Sequence, residues 1–141
     1  MNLRTDYALR MLMALAAKEE VVSIDLLAEH YDISRNHLAK VAQDLAAAGF
    51  IETQRGRGGG VRLARAPSDI NIGHVVRSLE NTTGFVACMG GRETCVVERV
   101  CGLKPALAGA LEAFLAHLDQ FSLAQITGAK PRFLKELIPE D

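Results

Sequence analysis

The chain has no tryptophan, and aromatic residues make up only 5% of its 141 positions. So few flat rings leave little with which to build the stacking platforms that grip single-stranded nucleic acid. An excess of either charge is also missing: 16 Lys and Arg stand against 17 Asp and Glu, for a formal net charge of -1 and a pI of about 6.4. A generally basic nucleic-acid coat is excluded, and any grip on phosphates has to come from a local patch. No apolar run approaches the roughly 20 residues that cross a bilayer, and the N-terminus opens with charged residues rather than a signal peptide. The expectation is a cytoplasmic protein with no membrane partner. Internal repeats and low-complexity tracts are absent. No nucleophile–base pair stands out either, so an iron–sulfur or thiol enzyme is the remote reading.

Cysteine is scarce as well. Cys88, Cys95 and Cys101 are the only three, and they fall within fourteen residues. Three thiols cannot pair off completely as disulfides, and grouped thiols in a reducing compartment point to metal or redox chemistry rather than staples. The spacing C-x6-C-x5-C lacks the C-x2-C pair of a zinc knuckle. It suits a loop wrapped around something bulkier than one ion, and an iron–sulfur cluster is such an object. Three incidental core residues are the plainer alternative, since free cysteine is often buried. Gly90, Gly91 and Gly102 accompany the thiols between two helical segments, which favours the loop.

Apolar residues are plentiful, at 49%, enough for one compact domain or a small domain with a dimerisation arm. Leu3, Tyr7, Met11 and Leu15 recur at four-residue spacing in an alanine-dense stretch and predict a helix over 3–17. Ser23 offers an N-cap to a second helix over 24–31, with Asp25 in its first turn, and Ser34 to a third over 35–48. Asp32 and Ile33 turn the chain between them. Leu38, Val41, Ala42 and Leu45 form the third helix's apolar stripe, and Gly49 stops it. Alternation over 50–54 and the run 61–64 predict two strands about a glycine-rich turn, and Pro67 closes the unit. A short helix over 72–80 leads into the cysteine loop. A long helix over 104–120 carries Leu107, Leu111, Phe114, Leu115 and Leu118, and a short one follows over 122–127.

The fold class expected is mostly α with a small β-hairpin: a winged helix-turn-helix plus a long dimerisation helix. Three regions follow, a DNA-binding region over 1–67, a short helix and cysteine loop over 68–103, and a dimerisation helix with C-terminal helices over 104–141. So short a chain leaves little to cover the long helix's stripe, and a second copy of that helix as its cover gives a two-fold homodimer. His30 and His117 lack a second His or Cys at chelating spacing and read as surface or packing residues. Met11 and Met13 read as core.

Arg55, Arg57, Arg62 and Arg65 lie within eleven residues that contain no acid. Arginines on a glycine-rich turn can bind phosphates or enter a minor groove. Ser34, Arg35, Asn36 and His37 open the third helix, with Lys40 further along, where a recognition helix places side chains on base edges. A solvated helix start and an ordinary charged hairpin would read the same way singly. In the order helix, helix, helix, hairpin they point to double-stranded DNA. The glycine-rich turn is no nucleotide cradle, because no Walker lysine–hydroxyl pair follows it and it joins two strands.

Thr5-Asp6-Tyr7-Ala8-Leu9-Arg10, Ser34-Arg35-Asn36-His37, the run from Arg55 to Leu63, and three cysteines ahead of a long helix together resemble the Rrf-two family of winged-helix iron–sulfur regulators. The likeness spans nearly the whole chain. Ser34-Arg35-Asn36-His37 and Leu118-Asp119-Gln120-Phe121-Ser122-Leu123 resemble that family's nitric-oxide-sensing repressors in particular. The resemblance implies a homodimer that represses nitric-oxide detoxification genes from a palindromic operator. It also implies one [4Fe-4S] cluster per subunit, held by Cys88, Cys95 and Cys101, whose loss or nitrosylation reports nitric oxide. The fourth ligand it implies is Asp6, donated by the partner subunit. Read without the family, Asp6 is equally a surface carboxylate favoured near a helix N-terminus, and Glu93, Glu98 and His74 also compete. Iron–sulfur biogenesis regulators of the family carry a histidine three residues after the last cysteine, where this chain has Lys104, a poor ligand. The first cysteine gap is also longer by one or two residues than is usual there. A regulator on the same scaffold that senses iron or cluster status is the alternative function.

Overall fold

The computed structural model describes residues 2–80, 102–128 and 136–138. Among the described residues, six α-helices and one two-stranded antiparallel sheet follow in the order expected. Helix α1 (Leu3–Ala17) starts at Asn2, whose side chain accepts the Thr5 N–H at 2.8 Å. Helix α2 (Ile24–Tyr31) starts at Ser23, whose Oγ accepts the Leu26 N–H at 3.1 Å. It ends at Asp32, left-handed at φ 54°, a conformation that Asp tolerates better than most residues. Helix α3 (Arg35–Ala47) is capped by Ser34 in the same manner.

Gly49, at φ +85°, terminates α3. Its N–H reaches Ala46 O and that of Phe50 reaches Leu45 O, each at 3.0 Å. The two bonds satisfy carbonyls that a helix end leaves open, and the buried Leu45 and Phe50 supply the apolar contact that accompanies this stop. Phe50 is therefore part of the helix stop rather than the first strand residue, and the strands are β1 (Ile51–Gln54) and β2 (Gly60–Leu63). Their register pairs Ile51 with Leu63, Glu52 with Arg62, Thr53 with Val61 and Gln54 with Gly60. Reciprocal backbone bonds of 2.8 Å between Val22 and Val61 fasten this wing to the chain entering α2.

A 3-10 turn (Pro67–Asp69) leads to α4 (Ile72–Leu79), and α5 (Leu103–Leu118) and α6 (Leu123–Thr127) complete the described helices. The starts of α4 and α6 are joined by Ile72 N–H to Phe121 O at 2.9 Å and Leu123 N–H to Ile70 O at 2.8 Å. The C-terminal part thereby returns to α1, and one apolar core runs from Ala8, Leu12 and Leu27 through Leu45 and Val61 to Val75 and Leu123. Each buried Leu or Val contributes about 1.5–3 kcal/mol, so the winged helix and its C-terminal helices stabilise each other. Helix α5 is different. Only Leu115 of its apolar stripe is buried, while Leu103 is 61% and Phe114 46% exposed. No helix among the described residues is long and apolar enough to cross a membrane.

Candidate nucleic-acid interface and cluster ligands

The first turns of α2 and α3 and the turn of the wing surround an open groove of about 440 Å³. Ser23, Asp25, Arg35, Gln43, Arg55 and Gly60 are on its walls. Ser34, Arg35, Asn36, His37 and Lys40 are all exposed on α3 or its cap. They do not stand alike. Ser34 Oγ is engaged as the cap, and the Arg35 guanidinium donates through Nε to the Asp25 carboxylate. The His37 ring meets the edge of Tyr7 with centroids 5.0 Å apart. Asn36 and Lys40 project without a side-chain hydrogen bond among the described residues.

The wing's arginines divide as well. Arg55 and Arg57 are exposed on the turn with no ion pair among the described residues. Arg62 pairs with Glu52, its register partner, at 3.1 Å. Arg65 donates to Gly49 O at 3.2 Å and covers the Phe50 ring at 5.0 Å, so it serves the α3 stop. The sequence groups four arginines; the geometry leaves the turn pair as unpaired cations able to meet phosphates, which is chemistry a glycine turn allows at close range.

Cys88, Cys95, Cys101, Glu93 and Glu98 lie outside the described residues. Asp6 and His74 lie within them. Asp6 accepts from Arg10 Nη2 at 2.9 Å and Nε at 3.3 Å, an i,i+4 pair with both side chains more than a third exposed. Such pairs are weak, and each carboxylate oxygen retains a further lone pair, so Asp6 has acceptor capacity to spare. The Arg10 guanidinium lies 5.9 Å from the centre of the Tyr7 ring. Asp6, Arg10, Tyr7 and His37 thus form one contact chain from the first turn of α1 to the first turn of α3.

The same first turn of α1 is fastened to the end of α4. Asn2 N–H donates to both Glu80 carboxylate oxygens, at 3.0 and 3.1 Å, and the Thr5 hydroxyl donates to the same carboxylate. Arg4 Nη2 donates to Leu79 O at 2.8 Å. Glu80 closes α4 eight residues ahead of Cys88 in the sequence, and Asp6 directly follows Thr5, one of the residues that bind it. His74 is exposed on α4, its backbone N–H held by the Asn71 cap. Among the described residues, no three His, Cys, Asp or Glu side chains gather to hold a metal ion. Three thiols and one available carboxylate are nevertheless a donor set that an iron–sulfur cluster accepts.

At the α4–α5 junction, Arg77 Nη2 donates to Asp119 Oδ2 at 2.8 Å, and Asn71 Nδ2 to Asp119 O at 2.7 Å. The Arg77 hydrogen bond holds the Asp119 carboxyl below the ordinary carboxylate range. Burial raises the Tyr31 phenol above its ordinary value, and its hydroxyl donates to Leu137 O. Sequence reading gave no separate role to Arg10 or Tyr7, which entered within the motif from Thr5 to Arg10 and, for Tyr7, a helical stripe; it took Asp25 as a first-turn acid and Glu80 as a helix end. Arg10 was detectable as the i+4 partner of Asp6. The contacts of Glu80, 75 residues from Thr5, had no local signal.

Three helices followed by a hairpin, with exposed polar residues opening the third helix and free arginines on the hairpin turn, define a winged helix-turn-helix DNA-binding protein. The chain belongs to the Rrf2 family, whose model, described as an iron-dependent transcriptional regulator, matches residues 1–129. It is 47% identical over 136 residues to the HTH-type transcriptional regulator NsrR of Bacillus subtilis strain 168, covering 94% of this chain and 93% of that one. Its fold is similar to CymR (YrzC), the global cysteine regulator of B. subtilis, at a TM-score of 0.70 and 24% identity, covering 90% of this chain and 95% of that one. It is likewise similar to T. potens IscR, at 0.68 and 26% identity, covering 89% and 84%. A family of transcriptional regulators displaces the enzyme reading.

Proposed function

We propose that this protein is a homodimeric transcriptional repressor that senses nitric oxide through one [4Fe-4S] cluster per subunit. Residues 1–67 bind DNA, 68–103 carry the cluster loop and 104–141 dimerise. The observation that supports it most is the contact chain Asp6–Arg10–Tyr7–His37, which ties a candidate cluster ligand to the start of the recognition helix. Cys88, Cys95 and Cys101 would hold the cluster with the partner subunit's Asp6. When bound, such a cluster supplies an iron site with a hard, weakly matched oxygen ligand, open to nitric oxide.

The chain's own residues do the rest. Asp6 orients Arg10, Arg10 lies over Tyr7, and Tyr7 abuts His37, so a shift in the first turn of α1 reaches the first turn of α3 through packed side chains. Glu80 holds that turn to the root of the cysteine loop. Ser34, Arg35, Asn36, His37 and Lys40 face base edges and nearby phosphates, while Arg55 and Arg57 take phosphates or the minor groove and Arg62 joins them by giving up its exposed pair with Glu52. The exposed Leu103 and Phe114 on α5 pair with the second copy and set the two recognition helices about one DNA turn, roughly 34 Å, apart. A coupling of about 1–3 kcal/mol between the sensing site and DNA changes affinity about 5- to 150-fold.

Replacing Cys88, Cys95 or Cys101 by Ala should abolish or severely weaken iron retention in anaerobically purified protein. Unchanged iron in all three variants would remove the cysteine stretch from the site. The family's description as iron-dependent favours a second reading, in which the signal is iron supply or cluster status. Release of DNA by an iron chelator but not by nitric oxide would select it.

A further inference from the structure

We infer that Asp25 aims Arg35 at its base, and is therefore a specificity-determining positioning residue, although it lies outside the recognition helix. The inference rests on the DNA-reading role proposed for Arg35.

Asp25 lies in the first turn of α2 and Arg35 is the first residue of α3, and their side chains pair. The helix dipole accounts for an acid in the first turn of α2. It does not account for that acid reaching the guanidinium of the next helix. Nor is the pair a fold stabiliser, because its side chains are 65% and 71% exposed, and exposed pairs contribute little. Its place is more informative. Both residues wall the groove between α2, α3 and the wing, where a lone carboxylate would repel approaching phosphates.

The pair engages Arg35 through Nε. This leaves the Nη1–Nη2 edge as a planar fork, the shape that bonds guanine O6 and N7 together. A guanidinium on a flexible stem otherwise loses rotamer freedom when it docks. Held by Asp25 before DNA arrives, Arg35 has less freedom left to lose. The carboxylate also offsets its charge, so a stray phosphate attracts it less. Both effects favour the matching base over random sequence.

The test uses the full-length protein, purified anaerobically with its iron, and a duplex that wild type selects from a random pool. Affinities for that duplex, its single-base variants and a scrambled duplex are measured for wild type, Asp25→Ala, Asp25→Asn, Arg35→Ala and the double variant. Arg35→Ala should lose about 5- to 150-fold discrimination at one base pair, the range of a bidentate base contact. Asp25→Ala should lose discrimination at that same base pair while binding the scrambled duplex as tightly as wild type or more so. Asp25→Asn, which still accepts the Nε bond, should retain part of it, and Asp25→Ala should cost nothing further in the Arg35→Ala background.

Equal tightening of Asp25→Ala on all duplexes would overturn the inference and leave Asp25 as a mere repulsive charge. Equal weakening on all, with a lowered melting temperature, would overturn it in favour of a structural role. If Arg35→Ala kept full discrimination at every base pair, the base-reading role of Arg35 would fall and the inference with it, a result distinguishable from the other two.

Discussion

Gly60 is the point where the wing meets the rest of the winged helix, and Gly60→Ala should detach it. A Cβ there would lie 2.1 Å from Val22 O and 2.6 Å from Val22 C, both backbone atoms that cannot rotate aside. The wing would have to withdraw and break the two 2.8 Å bonds between Val22 and Val61. Two such bonds contribute about 1–3 kcal/mol net, and the φ of +156° adds strain of about 1–3 kcal/mol for a side-chain-bearing residue. The expected loss is thus about 2–6 kcal/mol. Gly58→Ala is the control, because Gly58 also has positive φ, +76°, but open space where its Cβ would be. It should cost only about 1–2 kcal/mol. Any effect through the unfolded chain is shared by the two variants and cancels between them. Urea titration followed by circular dichroism measures both, and hydrogen exchange at the Val22 and Val61 amides reports the bridge itself. Equal losses in the two variants, with the amides still protected in Gly60→Ala, would refute the contact argument.

Arg57→Ala should weaken binding to all duplexes alike and reduce the salt slope by about one, whereas Asn36→Ala should erode preference for the selected duplex over random DNA. Gel-shift titrations at two salt concentrations separate the two behaviours. Tyr7→Ala should uncouple DNA affinity from the state of the cluster while leaving iron content intact, and Tyr7→Phe, which keeps the ring between Arg10 and His37, should preserve the coupling; iron analysis beside binding curves checks both. Because the Asp119 carboxyl is held below its ordinary pKa near 3.8, its ionised form stabilises the fold fully above that value. That contribution disappears as pH falls through the lowered folded-state pKa. Urea midpoints of cluster-free wild type and Asp119→Asn should therefore differ at neutral pH and converge in acid.

The elements legible in the sequence are those with local causes. Ser23 and Ser34 cap because their hydroxyls reach N–H groups three residues ahead, and Gly49 stops α3 because it adopts positive φ. The hairpin was legible from its glycine turn, with Phe50 misassigned to a strand because its bond to Leu45 belongs to the helix stop. The candidate DNA face was readable as residue types, but not which of its arginines are free. Arg62 and Arg65 are engaged by Glu52 and Phe50, and Arg35 by Asp25, through contacts that depend on how elements pack. The link from Asp6 to His37 was half visible, since Arg10 follows Asp6 by four residues, whereas the approach of Tyr7 to His37 across thirty positions had no local mark.

The most direct measurement is an anaerobic nitric-oxide titration of iron-loaded protein, with absorption and binding to the selected duplex followed on the same sample. Wild type should lose its cluster absorption and its DNA affinity in step, and Asp6→Ala should depart from wild type in spectrum and affinity although Asp6 reads no base. A colourless, iron-free protein that binds the duplex as tightly as the iron-loaded form, or a cluster that reacts fully while binding stays constant, would contradict the proposed function.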